Sequence, residues 1–152
     1  TAVILAVIPY FAVFIIYTNF VLVIFVHAPF LFLIISMREL AKDLENLEGD
    51  LALNYRTSPV VYGEKVSKWM LTILAFLTLV PITLLVTKFE IGYMYIFCYG
   101  SVIALGVFLI ILWMSAKKLH YVVLHNILKI IILVGVISIV LIDIDVLLNR
   151  IL

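Results

Sequence analysis

The chain has 152 residues, 67% of them hydrophobic and only 12% charged, with a net charge of +1 and a mean hydropathy of +1.36. Soluble domains run at roughly 45–50% apolar and about 25% charged, so a soluble fold is excluded and lipid must solvate most of the surface. The near-neutral balance gives no sign of a nucleic-acid partner, and the single cysteine, Cys98, cannot form an internal disulfide.

The sequence opens on Thr1 inside an apolar run, with no basic segment followed by a small-residue cleavage site. A signal peptide is therefore not read there, and the chain is expected to be a piece lacking its N-terminal part. A spanning helix needs about 20 mostly apolar residues. Five stretches are expected to supply one: 2–17, 20–37, 69–86, 91–115 and 121–142. His27 and Pro29 interrupt the second and are read as a paired histidine at a kink. Short turns at 18–19, 87–90 and 116–120 imply antiparallel neighbours. Backbone groups in lipid must be satisfied within their own segment, which favours helices. The expected fold class is all-α, a polytopic transmembrane helix bundle.

One long polar connection stands out, residues 38–68. It is expected to begin as a helix over 38–53 that continues the second span. Asn54 to Pro59 then breaks it, with Pro59 disfavouring helix at Ser58, and Gly63 adds a second turn signal. This connection carries Arg38, Lys42, Arg56, Lys65 and Lys68, and the turn after the fourth span carries Lys117 and Lys118. The opposite side has only Lys88 and Arg150. The excess of basic residues puts the long segment in the cytoplasm and the C-terminus outside.

Glu39, Asp43, Asn46 and Asp50 are spaced four, three and four apart, which places them on one stripe of one helix. Like charges stacked at this spacing repel, and a bound cation resolves the conflict. Oxygen donors without His or Cys point to Mg²⁺ or a similar hard ion. Lys42 beside the stripe and Arg56 after it complete a phosphate site. The competing reading is a solvated helix on which Arg38, Lys42, Glu45 and Glu48 form ordinary surface pairs.

The run Arg38-Glu39-Leu40-Ala41-Lys42-Asp43-Leu44-Glu45-Asn46-Leu47-Glu48-Gly49-Asp50, followed by Tyr55-Arg56-Thr57-Ser58-Pro59-Val60-Val61-Tyr62-Gly63, resembles the second aspartate-rich motif of the UbiA superfamily of intramembrane prenyltransferases. Within it the pattern is most similar to the geranylgeranylglycerol-phosphate geranylgeranyltransferase branch. The resemblance implies a bundle of nine helices, of which these five would be the fifth to ninth. It implies Mg²⁺-dependent transfer of a prenyl group from an isoprenyl diphosphate to a lipophilic acceptor in the bilayer. Geranylgeranyl diphosphate and geranylgeranylglycerol phosphate are the implied pair; a ring acceptor of quinone, haem or chlorophyll-type biosynthesis is the alternative. By position, Asp43 and Asp50 would be catalytic metal ligands. Asn46 stands where the family commonly has a middle aspartate, offering a carbonyl oxygen without charge. Glu39, Lys42, Asn46 and Arg56 would serve the diphosphate. The family's first motif, of the form N-D-x-x-D-x-x-x-D, does not occur in this sequence. This chain alone is therefore expected to be inactive, and a non-catalytic scaffold or ion-binding subunit is the reading of a different class.

Other polar residues in apolar surroundings are weighed on depth. His125, Asn126 and Lys129 lie in the fifth span, with Lys129 about 12 Å from Tyr121 at 1.5 Å per residue. Lys129 either contacts phosphate or acceptor in a cavity or snorkels to the interface. Tyr93, Tyr95, Phe97 and Tyr99 read as an interfacial aromatic belt. Gly100 and Gly106 are expected to permit close helix packing, and Asp143 and Asp145 to be solvated.

Overall fold

The computed structural model describes residues 22–89, 93–115 and 118–138, with side chains from residue 25 onward. The expected stretch 2–17, the turn at 18–19, and Asp143, Asp145 and Arg150 lie outside the described residues. Six helices follow in order: α1 Leu22–Glu45, α2 Leu47–Ala52, α3 Ser58–Tyr62, α4 Glu64–Lys88, α5 Met94–Met114 and α6 Lys118–Ser138. No strand occurs among the described residues. Helices α4, α5 and α6 are each long and apolar enough to cross a membrane. The fold is an all-α transmembrane bundle.

Helix α1 is the centre of the packing, lying against both α4 and α6, with α5 closing on α6 and α4. Its side chains Phe30, Ile34, Met37 and Ala41 are almost fully buried. They meet Leu71 and Leu85 of α4, Phe108 of α5, and Leu124 and Leu128 of α6 in one continuous core. Protein covers only 33–39% of each spanning window, so most of their circumference is left to lipid or further protein. Hydroxyls inside the spans are satisfied on their own helices: Thr72 donates to the Lys68 carbonyl, Thr78 to Leu74, Ser101 to Cys98 and Ser138 to Gly135. This removes the penalty of an unpaired donor in an apolar medium.

Several local expectations change. The helix that follows the long connection starts at Glu64, so the first turn of α4 is polar. Helix α6 begins at Lys118, which makes the preceding turn shorter than 116–120. Ser58 is helical, because Pro59 sits in the first turn of α3, where its missing N–H is not needed. Phe97 does not belong to an aromatic belt. It is buried with Phe30 in an edge-on contact at 5.7 Å, and the His27 ring lies 5.4 Å from Phe30. Tyr93, Tyr95 and Tyr99 remain exposed.

The close-packing glycine is Gly135, not Gly100 or Gly106. A Cβ at Gly135 would stand 3.0 Å from Phe97 Cζ and 3.6 Å from Leu31 Cδ2, while Gly100 and Gly106 have open space around them. Gly135 thus lets α6 approach α1 and α5. Gly135→Leu is expected to lower stability by about 1–3 kcal/mol through overpacking, and Gly100→Leu to leave it within roughly 0.5 kcal/mol. Thermal unfolding of both variants in detergent micelles checks this, and equal midpoints would contradict it.

Candidate functional site

Beyond Met37, α1 keeps one face in the core through Leu40, Ala41 and Leu44. Its far side carries Glu39 and Asp43, both half-buried, with Lys42 exposed beside them. The helix bends at Asn46, where the backbone relaxes to φ −97° and ψ 8°. Hydrogen bonding nevertheless runs through the bend, from Asn46 N to Lys42 O at 3.1 Å and from Asp50 N to Asn46 O at 2.9 Å. The polar stripe therefore stays on one nearly continuous helical face.

Helix α2 ends in a paired turn. Asn54 N donates to Leu51 O at 3.3 Å and Tyr55 N to Asp50 O at 2.9 Å. Asn54 takes φ 60°, a left-handed conformation that asparagine tolerates at a helix C-terminus. This Schellman turn closes the helix, after which Arg56 stays exposed and the Thr57 hydroxyl is buried. Pro59 is buried, and α3 rests on α1. Gly63, at φ 85°, then redirects the chain into α4.

Electrostatics on this face are unfavourable by design of the sequence. Partial burial pushes the Asp43 carboxyl above its usual range, and the nearby charges of Asp50 and Glu39 push it the same way, with Lys42 opposing. Glu39 is the only one of the three with an ion pair among the described residues, to Arg38 Nη1 at 2.9 Å. A divalent ion fits this face on two grounds. The donors are all oxygen, and Asp43 takes the repulsion of Asp50 and Glu39 with no ion pair of its own among the described residues. Among the described residues no group of three or more such side chains could enclose a metal by itself. The face would thus supply one or two carboxylates and leave the remaining positions to water or phosphate, the usual habit of Mg²⁺. Arg38 Nε and Thr57 Oγ1 are buried without a hydrogen-bond partner, leaving donors unclaimed for an anion on the same segment.

The structure brings Glu39, Lys42 and Asp50 within electrostatic reach of Asp43. It does not join Arg56 or Lys129 to them: both are exposed and make no ion pair among the described residues. The surface pairs expected of Lys42, Glu45 and Glu48 do not form among the described residues. Glu45 instead meets His125 of α6, Oε2 to Nδ1 at 3.2 Å, across 80 residues of sequence. A second inter-helix cluster was not legible at all. Lys68 Nζ bonds Glu64 Oε1 at 2.8 Å and donates to the Ser115 carbonyl at 2.8 Å. Tyr121 Oη donates to the same Glu64 oxygen, and Lys68 lies 5.6 Å over the Tyr121 ring. These contacts tie the start of α4 to the corner between α5 and α6. The only sequence signal was ionisable residues near span ends; the pairing depends on how the helices are rotated. A separate apolar groove of about 640 Å³, between Phe97, Gly100 and Ala104 of α5 and Ile131 and Val134 of α6, lies at the other end of the bundle.

A helix bundle built for lipid, with an acidic helix face at one polar end, defines an integral membrane protein. The chain belongs to the UbiA prenyltransferase family, whose model matches residues 1–130. It is similar to the digeranylgeranylglyceryl phosphate synthase of Pyrococcus furiosus, 45% identical over 49 residues, covering 32% of this chain and 18% of that protein. The protein of the same name from Methanobrevibacter smithii is 33% identical over 85 residues, covering 50% and 30%. That from Thermococcus kodakarensis is 31% identical over 90 residues, covering 59% and 32%. The matched stretches thus span less than a third of these relatives' length. No solved structure matches the chain.

An acid whose pKa is raised by the fold favours the fold while protonated. That contribution is complete below the ordinary value of 3.8 and is lost as pH climbs through the raised value. Without metal, Asp43→Asn is therefore expected to unfold at a higher temperature than the parent at pH 7. The advantage should shrink to nothing below the ordinary carboxylate range. Scanning calorimetry in chelator across this range checks the sign; a variant less stable than the parent at pH 7 would contradict it.

Proposed function

We propose that the protein transfers a prenyl group from an isoprenyl diphosphate, geranylgeranyl diphosphate first, to a lipophilic acceptor of the geranylgeranylglycerol phosphate type. The reaction depends on Mg²⁺ and takes place within the bilayer, with residues 38–68 facing the cytoplasm of a cytoplasmic membrane. The observation that carries this reading is the crowding of Asp50 and Glu39 around a half-buried Asp43. Family membership and the names of the relatives support the transferred group and the acceptor class. The spans proposed are those near 2–17, 20–37, 69–86, 91–115 and 121–142, a partial transmembrane prenyltransferase domain over 1–152.

In this reading Asp43, Asp50 and the Asn46 amide oxygen would hold the ion, and Glu39 would serve the diphosphate side of the site by adding negative potential for the ion. The ion supplies neutralisation of charge on the departing diphosphate. Lys42 and Arg56 add charge-assisted hydrogen bonds to phosphate oxygens, which strengthen as the leaving group gains charge. Lys129 is assigned to the diphosphate only with a further approach of its flexible side chain, since it stands exposed on α6. The bond between the prenyl carbon and the diphosphate oxygen breaks, the acceptor oxygen bonds that carbon, and the acceptor proton is lost. The apolar faces of α1, α4 and α6 below the stripe exclude water, so the electron-poor carbon is not captured by hydrolysis.

The test is turnover of the full-length protein in lipid vesicles with labelled geranylgeranyl diphosphate and geranylgeranylglycerol phosphate. Asp43→Ala and Asp50→Ala are each expected to lose about 10²–10³ in kcat. Chelation should abolish the reaction, and added Mg²⁺ should restore it. Unchanged turnover in both variants would overturn the assignment of the site, and transfer only to an aromatic acceptor would overturn the acceptor.

A further inference from the structure

Past the aspartate stripe, the polar segment exposes large apolar side chains. Val61 and Tyr62 of α3 and Val66 of α4 are 54%, 62% and 46% exposed. Water is an unfavourable neighbour for such a cluster. Val66 also extends a stripe that runs along the membrane-spanning part of α4 through Trp69, Ile73, Phe76 and Val80, all exposed at spacings of three and four.

Aromatic residues fix the depth of this stripe. Tyr93 stands at one end of α5 and Trp113 at the other, where Trp113 packs edge-on against Trp69 at 5.3 Å. The 20 residue steps from Tyr93 to Trp113 rise about 30 Å, the thickness of the hydrocarbon core. Trp69 and Trp113 therefore mark one membrane interface. Val66, Tyr62 and Val61 precede Trp69 by three, seven and eight residues, on its polar side.

In the first turn of α4 and at the start of α6 the unpaired charge among the described residues is positive. Glu64 is held by Lys68 and Tyr121, and Glu45 by His125. Lys65, next to Val66, and Lys118, at the start of α6, are exposed and unpaired among the described residues. The Lys68 network brings the two helix starts that carry them to one corner of the bundle.

We infer that α3 and the first turn of α4 form a foot seated in the headgroup layer of the bilayer on the motif side, with Val61, Tyr62 and Val66 inserted and Lys65 and Lys118 held by anionic phospholipid headgroups. The occupant is the lipid surface, because the exposed stripe continues along a helix long and apolar enough to cross a membrane, past the Trp69–Trp113 pair at its polar end, and the lysines beside it are exposed. The foot sets the height of the aspartate stripe against the membrane, level with the headgroups of lipids. It stands independently of any catalytic role.

The experiment uses the full-length protein in vesicles of phosphatidylcholine, with or without phosphatidylglycerol. Tyr62→Cys, and separately Val61→Cys, are labelled with an environment-sensitive fluorophore on a Cys98→Ala background. The expected result is a blue-shifted emission quenched by lipids brominated near the top of the acyl chain. Phosphatidylglycerol should deepen that quenching, and combined Lys65→Gln and Lys118→Gln should remove the deepening. Quenching by aqueous iodide but not by brominated lipid would overturn the inference by placing the foot in water. Protection from both quenchers would overturn it by showing protein, from this chain or a second copy, as the cover. Equal quenching in the two vesicle types would overturn the anionic preference. Quenching of Trp69 and Trp113 by the same brominated lipids reports that the bundle is intact in each variant.

Discussion

Asp43 lies between Glu39 and Asp50 on a helix face that packing leaves half covered, and partial burial together with both neighbouring negative charges pushes its carboxyl above the usual range. Surface helices usually separate such groups or pair each with a base. Here only Glu39 has a counter-charge among the described residues, and Lys42 is too exposed to neutralise the rest. The conflict persists because the other face of the same helix is fixed in the core by Leu40, Ala41 and Leu44. Rotating the carboxylates apart would pull those side chains out. A bound ion, as proposed, would relieve the acidic face without disturbing the apolar one.

The bundle is organised to hold that arrangement still. Gly135 lets α6 close on α1, and Glu45 to His125 joins the same two helices at the level of the bend. The Lys68 cluster anchors the start of α4, so the loop carrying Arg56 and Thr57 is fixed at both ends: by the Schellman turn after Asp50 and by Gly63 before α4. Electrostatic stabilisation of a leaving group works best when its donors are already in place. Two buried, unclaimed donors on Arg38 and Thr57 are consistent with a site prepared for an anion that the protein does not itself supply.

What the sequence showed well is what depends on local periodicity. The apolar runs gave an all-α membrane bundle, and the spacing of Glu39, Asp43, Asn46 and Asp50 gave a common face that survives the bend at Asn46. The resemblance carried the family before any geometry was available. What the sequence hid depends on rotation and contact between helices. Gly135 looked like any apolar-span glycine, and only its 3.0 Å approach to Phe97 singles it out from Gly100 and Gly106. Phe97 lay among tyrosines but faces inward, because a helix places adjacent residues on different sides. Glu45 with His125 and Tyr121 with Glu64 are separated by 80 and 57 residues, so no local pattern announces them. Ser58 was misjudged for a different reason: the restriction imposed by Pro59 was applied to a helix interior, whereas the pair sits at a helix start.

The central claim is that the acidic face of α1 and α2 binds a divalent ion together with a diphosphate. Titration calorimetry of the full-length protein with Mg²⁺, in the presence of an unreactive isoprenyl thiodiphosphate, tests it most directly. The account predicts saturable binding in the parent and at least a tenfold weaker affinity in both Asp43→Asn and Asp50→Asn, each loss amounting to about 1.4 kcal/mol or more. Equal Mg²⁺ affinity in the parent and both variants would contradict it.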